Sequence, residues 1–271
     1  MLNKALRHLA LGGLALIVLF PFIWMVLTSF KPPEEIYLDH IRWFPDRFYL
    51  YENYRTAFSK APLIRYLING AVVTFAIFML QVLIAMPAAY ALAKLKFRGK
   101  EFFFSVVVIC LLIPPHAVAI PVFLLLHSIG LLNSYASLVL PWIISVFGIF
   151  LMRQFFMTVP DDLIDAARMD GISEFGIIWR VMLPLAYPAL SAFGIFSLVA
   201  HWNDYFWPLI VVNDQSLFTP PLGVAHFRND DAGTDFGALM AAASVAIAPL
   251  IFIFVLLQRR FIEGLAFTGM K

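Results

Sequence analysis

The sequence predicts an all-α membrane protein of six transmembrane helices, and three observations carry that prediction. Hydrophobic residues make up 62% of the 271-residue chain and charged ones only 13%, against about 25% charged in an ordinary soluble domain. The apolar residues gather in charge-free runs as long as the roughly 20 residues of helix that cross a bilayer core about 30 Å thick. No segment alternates with the two-residue period of a transmembrane β-barrel. The length admits one or two soluble domains, but these runs leave no stretch to build one, so a single transmembrane domain over residues 1–271 is expected.

The first run, Leu9 to Phe30, holds 22 residues and follows Lys4 and Arg7 as the apolar part of a secretory signal would. A signal's apolar region is about 7–15 residues long and ends in a small-x-small site. This run is longer and has no such site, so it reads as an uncleaved span over residues 9–30. Tyr66 to Ala93 gives the second span, residues 66–93. From Phe102 to Met152 there are 51 residues without a charge, which must hold two spans. The turn formers of GLLNSY, Gly130 to Tyr135, divide them into 102–127 and 134–153. Leu185 to Val212 and Gly237 to Gln258 supply the fifth and sixth, 185–212 and 237–258.

Orientation follows from the basic residues of the short loops, densest in KLKFRGK after span two. With both termini cytoplasmic, 12 of the 19 basic and seven of the 17 acidic residues fall inside, leaving that face at +5 and the outer face at −3. A multi-pass protein of a bacterial inner membrane with cytoplasmic termini is expected. The lone cysteine, Cys110, lies in an apolar run and offers neither a disulfide framework nor a thiolate metal site. Lys31 to Arg65 and Asn213 to Phe236 face outward as connectors, the second a candidate surface for an external partner.

Between spans four and five a polar stretch, residues 158–184, interrupts the oil. Its grammar describes two short helices joined by a turn. Thr158 caps the first, Pro160 suits its first turn, and Asp161, Asp162 and Asp165 lie where the helix dipole favours negative charge. Gly171 stops it in the left-handed conformation, and Ser173 caps the second helix with Glu174 in its first turn. Ile177, Ile178, Val181, Met182 and Leu185 then recur at helical spacing, one side for packing. An amphipathic helix resting on lipid is the alternative. Three aspartates on the first helix would be repelled by an anionic leaflet, and Asp170 sits at a helix C-terminus, where the dipole disfavours it, so a protein partner is expected.

The stretch resembles the EAA loop of the membrane subunits of ATP-binding-cassette importers. The resemblance rests on Asp165, Ala166, Ala167, Asp170, Gly171, Leu183 and Pro184, with two departures: Asp165 for the leading glutamate and Ile172 for the small residue after glycine. PAAYALAKLKFRGK from Pro87, LMRQFF from Leu151, WNDYFWPLIV from Trp202 and the ending QRRFIEGLAFTGMK extend it to the carbohydrate-uptake branch, in particular its six-helix permeases. The resemblance implies a coupling helix, Asp165 to Ser173, that docks on a cytoplasmic ATPase. It implies three kinds of partner besides lipid, a second homologous permease, two copies of the ATPase and an external solute-binding protein, and no nucleic acid. The ending from Gln258 resembles a family tail that contacts the ATPase pair. The chain carries no GxxxxGK[ST] phosphate loop, so no cofactor is expected on it, and Mg-ATP belongs to the ATPase.

For the solute, polar groups inside spans are informative because hydrocarbon penalises them unless they face a cavity or a partner. His201, Asn203 and Asp204 supply donors and acceptors for hydroxyls, while Trp202, Tyr205 and Trp207 supply flat apolar faces for a sugar ring. His116 follows the helix-disturbing pair Pro114 and Pro115 and is a further candidate. The alternatives are an interfacial aromatic belt, with Asp204 a cap or surface partner, and a proline kink that serves packing. Asn69 and Gln81 read as interhelical hydrogen bonds. A transport subunit for a sugar is therefore expected, with an anionic solute such as a glycerol phosphate or sulfonated sugar as the alternative. An ion-coupled transporter would show charges mid-span, internal repeats and discontinuous helices. An enzyme would show a metal-spaced or nucleophile–base cluster in the loops, and none is seen.

Overall fold

Proline placement decides where the long apolar runs stay straight. In the computed structural model, which describes residues 2–38, 42–225, 227 and 235–269, every regular element is a helix. Three helices run unbroken, Leu2–Thr28, Leu63–Lys94 and Phe236–Gly269, although each holds one interior proline, Pro21, Pro87 and Pro249. Clustered prolines do more. Lys100–Cys110 and the helical stretch Pro115–Ser128 meet at 96°, because Pro115 pushes Pro114 into an extended conformation with ψ 132°. Tyr135–Trp142 and Val146–Thr158 meet at 41°. There Ser145 is extended and its hydroxyl accepts the Gly148 N–H at 3.0 Å, starting a new helix. Glu174–Leu185 and Tyr187–Trp202 meet at 83°, between Pro184 and Pro188.

Counting each bent pair as one crossing gives up to six candidate spans, matching the expected number. The boundaries differ from those expected. Residues 102–127 are a broken pair rather than one rod, and 185–212 stops at Trp202 and resumes as Phe206–Val211. The fourth runs on past 153 to Thr158, the first reaches back to Leu2, and the last continues beyond 258 to Gly269. The GLLNSY turn forms as predicted, with positive φ at Gly130 and Asn133 and a Ser134–Ser137 capping box. Asn133 also accepts the backbone N–H groups of Asn213 and Asp214 at 3.0 and 2.9 Å.

The chain packs as two compact units, Met1–Leu67 with Pro220–Pro249, and Ile68–Thr219 with Leu250–Lys271. In the first, the expected connector 31–65 contains a helix, Leu50–Lys60, that buries Asn53 and Ala57. Asn53 donates to the carbonyls of Ser29 and Lys31, both at 2.9 Å, closing the end of the helix Leu2–Thr28. A Cβ on Gly237 would lie 2.6 Å from the Asn53 carboxamide, and one on Gly223 would lie 2.1 Å from the Tyr66 ring. Glycine is what lets these backbones approach.

The second unit holds the larger core, in which Met86, Ala89 and Tyr90 meet Met152, Phe156, Ile177, Met182 and Phe193. Buried amides tie its helices as the sequence predicts. Asn69 donates to the carbonyls of Ser216 and Phe218, both at 2.9 Å, and accepts the Tyr135 hydroxyl at 2.6 Å. Gln81 donates to the Trp142 carbonyl at 2.8 Å and accepts the Ser197 hydroxyl at 2.7 Å.

At the end of this unit carrying residues 94–100, cations close the long helix Leu63–Lys94. Arg153, at the expected end of the fourth span, is buried. Its Nε donates to the Leu92 carbonyl at 3.1 Å and its guanidinium lies 3.5 Å above the Phe104 ring. Lys100 donates to the carbonyls of Ala93 and Leu95 at 2.9 and 3.2 Å. Such contacts satisfy the carbonyls that a helix C-terminus leaves orphaned and favour its dipole.

Candidate functional site

Two places in the second unit carry the predicted residues: the loop 158–184 and a cavity beside residues 201–207. The loop begins differently from the sequence expectation. Thr158 does not cap the first helix; it ends the preceding one, with its hydroxyl bonded to the Phe155 carbonyl at 2.7 Å. Val159 and Pro160 are extended, and Pro160 stands at the start of the helix Asp161–Met169 without a side-chain cap. Asp161 and Asp162 occupy its first turn as predicted.

The end of that helix is a Schellman motif. The Ile172 N–H bonds the Ala167 carbonyl and the Gly171 N–H bonds the Arg168 carbonyl, both at 3.0 Å, with Gly171 at φ +76°. A Cβ at Gly171 would meet nothing within 4 Å, so backbone conformation and not space within this chain requires the glycine. Ile172, the departure from the family pattern, takes the position whose apolar side chain completes this motif, and it packs on the core that holds Ala167 and Ile164. Ser173 then caps as predicted, its hydroxyl accepting the Gly176 N–H at 3.2 Å.

Beyond Ser173 the apolar stripe is only partly realised. Ile177, Ile178 and Met182 are buried, while Leu185 is 41% exposed. Residues Ile178–Met182 form a π-helical turn directly ahead of Pro184. Proline lacks an N–H and crowds the carbonyl four residues back, a defect that a wide turn absorbs. The wider turn carries Leu185 off the buried face.

Around the loop the charges are paired. Arg168 donates to Asp165 at 2.9 Å and to Glu174 at 2.7 and 3.3 Å, and Glu174 also accepts the Tyr90 hydroxyl at 2.5 Å. The hydrogen bond from Arg168, then that from Tyr90, holds the Glu174 carboxyl below its ordinary pKa. Asp161 is likewise lowered, by its hydrogen bond with Lys94. Glu174 in turn raises the pKa of Arg168. One face of the helix Asp161–Met169 remains open: Leu163, Ala166 and Met169, the last 84% exposed, with Asp162 and Asp170 beside them. Of the predicted coupling residues, Ala167 alone lies in the core, while Asp165, Ala166, Asp170, Gly171 and Ser173 are exposed and Leu183 and Pro184 lie past the π-turn. Apolar Leu163 and Met169 were missed; their spacing with Ala166, one helical face, was the signal.

The second place is a cavity of about 480 Å³. His116, His201, Asn203, Asp204, Tyr205 and Trp207 all line it, so the structure brings six of the seven predicted pathway residues together. Trp202 is not among them; it is buried in the helix packing, 6% exposed. Pro115 of the predicted proline pair lines it too, as do Trp142 and Phe206, which were not predicted, since an apolar residue inside an apolar run carries no sequence signal. Several polar groups already have partners. Asp204 accepts the Trp207 N–H at 3.1 Å and so caps Phe206–Val211, Asn203 donates to the Val199 carbonyl at 2.9 Å, and the Trp207 indole donates to the Ser137 carbonyl at 2.8 Å. The His201 Nε2 lies 3.1 Å from the Gln81 amide, and its ring is 5.5 Å from that of Trp142. His116 meets the Phe206 ring edge-on at 4.6 Å. Among the described residues no cluster of three or more metal-ligating side chains occurs. The predicted tail from Gln258 and residues 228–234 of the outer loop fall where side chains lie outside the described residues.

Apolar helices long enough to cross a bilayer, a cavity lined by histidines and aromatic rings, and an exposed loop helix stopped by Gly171 together define the class: an integral membrane protein. The chain belongs to a particular family of that class, for residues 81–266 match the binding-protein-dependent transport system inner membrane component. It is 35% identical over 260 residues to the arabinooligosaccharides transport system permease protein of Halalkalibacterium halodurans, covering 95% of this chain and 93% of the relative. It is 32% identical to the sulfoquinovosyl glycerol transport system permease protein of Agrobacterium fabrum, over 99% and 94%. A chain from the crystal structure of a bacterial ABC transporter involved in the import of the acidic polysaccharide alginate has the same fold. The two superpose with a TM-score of 0.84 over 96% of each at 23% identity.

Proposed function

We propose that this chain, one transmembrane domain with both termini cytoplasmic, passes a neutral sugar or sugar derivative inward. The work is done by ATP hydrolysed on a separate polypeptide, so the chain is a transport subunit and not an enzyme. The observation that carries the reading is the composition of the cavity. Hydroxyl-binding groups of His116, His201 and Asn203 alternate with the ring faces of Trp142, Tyr205 and Phe206, the pairing that a sugar's polar rim and apolar face call for. Its acidic member is Asp204, and no arginine or lysine lines it, which favours an uncharged cargo. The relative named for arabinooligosaccharides supports the same class.

The loop supports the coupling half of the reading. Leu163, Ala166 and Met169 form an exposed apolar strip flanked by Asp162 and Asp170, a surface shaped for a groove rather than for lipid headgroups. Two copies of a cytoplasmic ATPase carrying Mg-ATP would receive such loops, one from this chain and one from a second, homologous permease. That the span window of the helix Leu2–Thr28 buries nothing within this chain is in keeping with a lateral neighbour of that kind. The solute would arrive on an external binding protein, a step supported by the family's description as binding-protein-dependent.

One observation favours a second reading. His116 and His201 face the same cavity, and their ring N–H donors would suit an anionic sugar, the class named for the sulfoquinovosyl glycerol relative. The test is ATP hydrolysis by the reconstituted assembly with its binding protein loaded in turn from neutral oligosaccharides, glycerol phosphate and sulfonated glycosides. Stimulation by neutral sugars is expected. Stimulation by the anions alone would replace the first reading with the second, and stimulation by none would move the cargo outside carbohydrates.

A further inference from the structure

Arg168 lies on the predicted coupling helix, but its partners Tyr90 and Glu174 lie outside every residue used so far for docking or transport. Tyr90 and Lys94 stand one turn apart on one face of the helix Leu63–Lys94. Lys94 grips the entry of the loop, at the Val159 carbonyl and Asp161, both at 2.6 Å. Tyr90, only 1% exposed, reaches Glu174 just past the Gly171 turn at 2.5 Å. Arg168 spans that turn from inside, bonding Asp165 before it and both Glu174 oxygens after it. The helix Asp161–Met169 is thus fastened at both ends to a single helix. An exposed ion pair alone holds little. Here its fork is bidentate on Glu174, and the third member is a buried phenol anchored in the core.

We propose that Tyr90, Arg168 and Glu174 are positioning residues that clasp the loop onto the helix Leu63–Lys94, so that displacement imposed on the loop is delivered to that helix as one rigid body. The inference rests on the reading of the loop as the ATPase dock. Its test uses spin labels at Leu83 and Phe175, both exposed, in the full assembly, with Mg-ATP trapped by vanadate as the probe. The label separation is expected to stay narrow and unchanged on trapping in the otherwise native chain. In Tyr90→Phe and in Glu174→Ala it is expected to broaden, with uptake per ATP falling several-fold while assembly and basal hydrolysis persist. Glu174→Gln, which keeps an acceptor for the Tyr90 hydroxyl, should recover part of that loss. A separation that shifts on trapping in the native chain, or stays narrow in both variants, overturns the clasp. Should the chain fail to assemble with an ATPase, the docking reading falls, and the nucleotide-free separations in the three variants still decide the clasp.

Discussion

The ammonium of Lys94 lies 2.6 Å from the carbonyl oxygen of Val159, so the last residue of one long helix holds the terminal carbonyl of another. Lys94 is 8% exposed, whereas its second partner, Asp161, is 77% exposed. The two halves of this contact are therefore unequal. Truncation in Lys94→Met strands a buried carbonyl and should cost about 1–3 kcal/mol in a thermal or denaturant unfolding measurement. Asp161→Asn should leave the same midpoint nearly unchanged, because a solvated carboxylate loses little by losing its partner.

Two glycines test two different requirements. A Cβ at Gly148 would lie 2.5 Å from the Phe193 ring, so Gly148→Ala should destabilise by about 1–3 kcal/mol through overpacking. Gly171 has open space but φ +76°, so Gly171→Asn should fold and transport nearly normally while Gly171→Val is strained by about 1–2 kcal/mol. Equal unfolding midpoints for the Asn and Val variants would sink the conformational explanation.

Acid should act on the loop late. Both Glu174 and Asp161 have pKa values below the ordinary carboxylate range. A carboxylate whose folded pKa is depressed contributes stability above its unfolded value and loses it as pH falls through the folded one. The melting temperature of the native chain minus that of Glu174→Gln should hence be constant from neutral pH down to the usual carboxylate range and shrink below it. A difference that already shrinks near neutral pH would contradict the lowered pKa.

In the cavity, Asp204 has a structural duty that confounds truncation, since it caps Phe206–Val211. Asp204→Asn keeps an acceptor for the cap and should alter stability by less than about 0.5 kcal/mol. Tyr205→Ala and His116→Ala remove groups that line the cavity. Each should weaken solute-dependent stimulation of the assembly without changing its basal ATP hydrolysis, and unaltered stimulation in both would return these residues to packing.

Helix existence was legible because charge-free runs of this length have one stable form in lipid. The bends were legible only as proline clusters: that Pro115 forces Pro114 out of the helix follows from local sterics, but the sequence does not state the 96° at which the two halves meet. Local grammar read Gly171 and Ser173 correctly, since each acts on backbone within three residues of itself. The same grammar misplaced Thr158: the hydroxyl competes equally well for a carbonyl three residues back, and Pro160 had already fixed where the next helix starts. Tyr90 and Glu174 are 84 positions apart, and nothing in either neighbourhood announces the other. Trp142 was invisible for a different reason, being one more apolar side chain in a run of 51 uncharged residues.

The wide turn at Ile178–Met182 stores one residue more than an α-helix would use in the same length. Reabsorbing it into regular helix would wind everything beyond by about 100° and push it along the axis by about 1.5 Å, the increments of a single α-helical residue. The turn lies between the exposed loop and the helix Tyr187–Trp202, whose far end carries His201. It is a spare residue between the exposed loop and that helix, and because the chain bends by 83° just beyond it, taking it up would swing the helix Tyr187–Trp202 sideways rather than spin it.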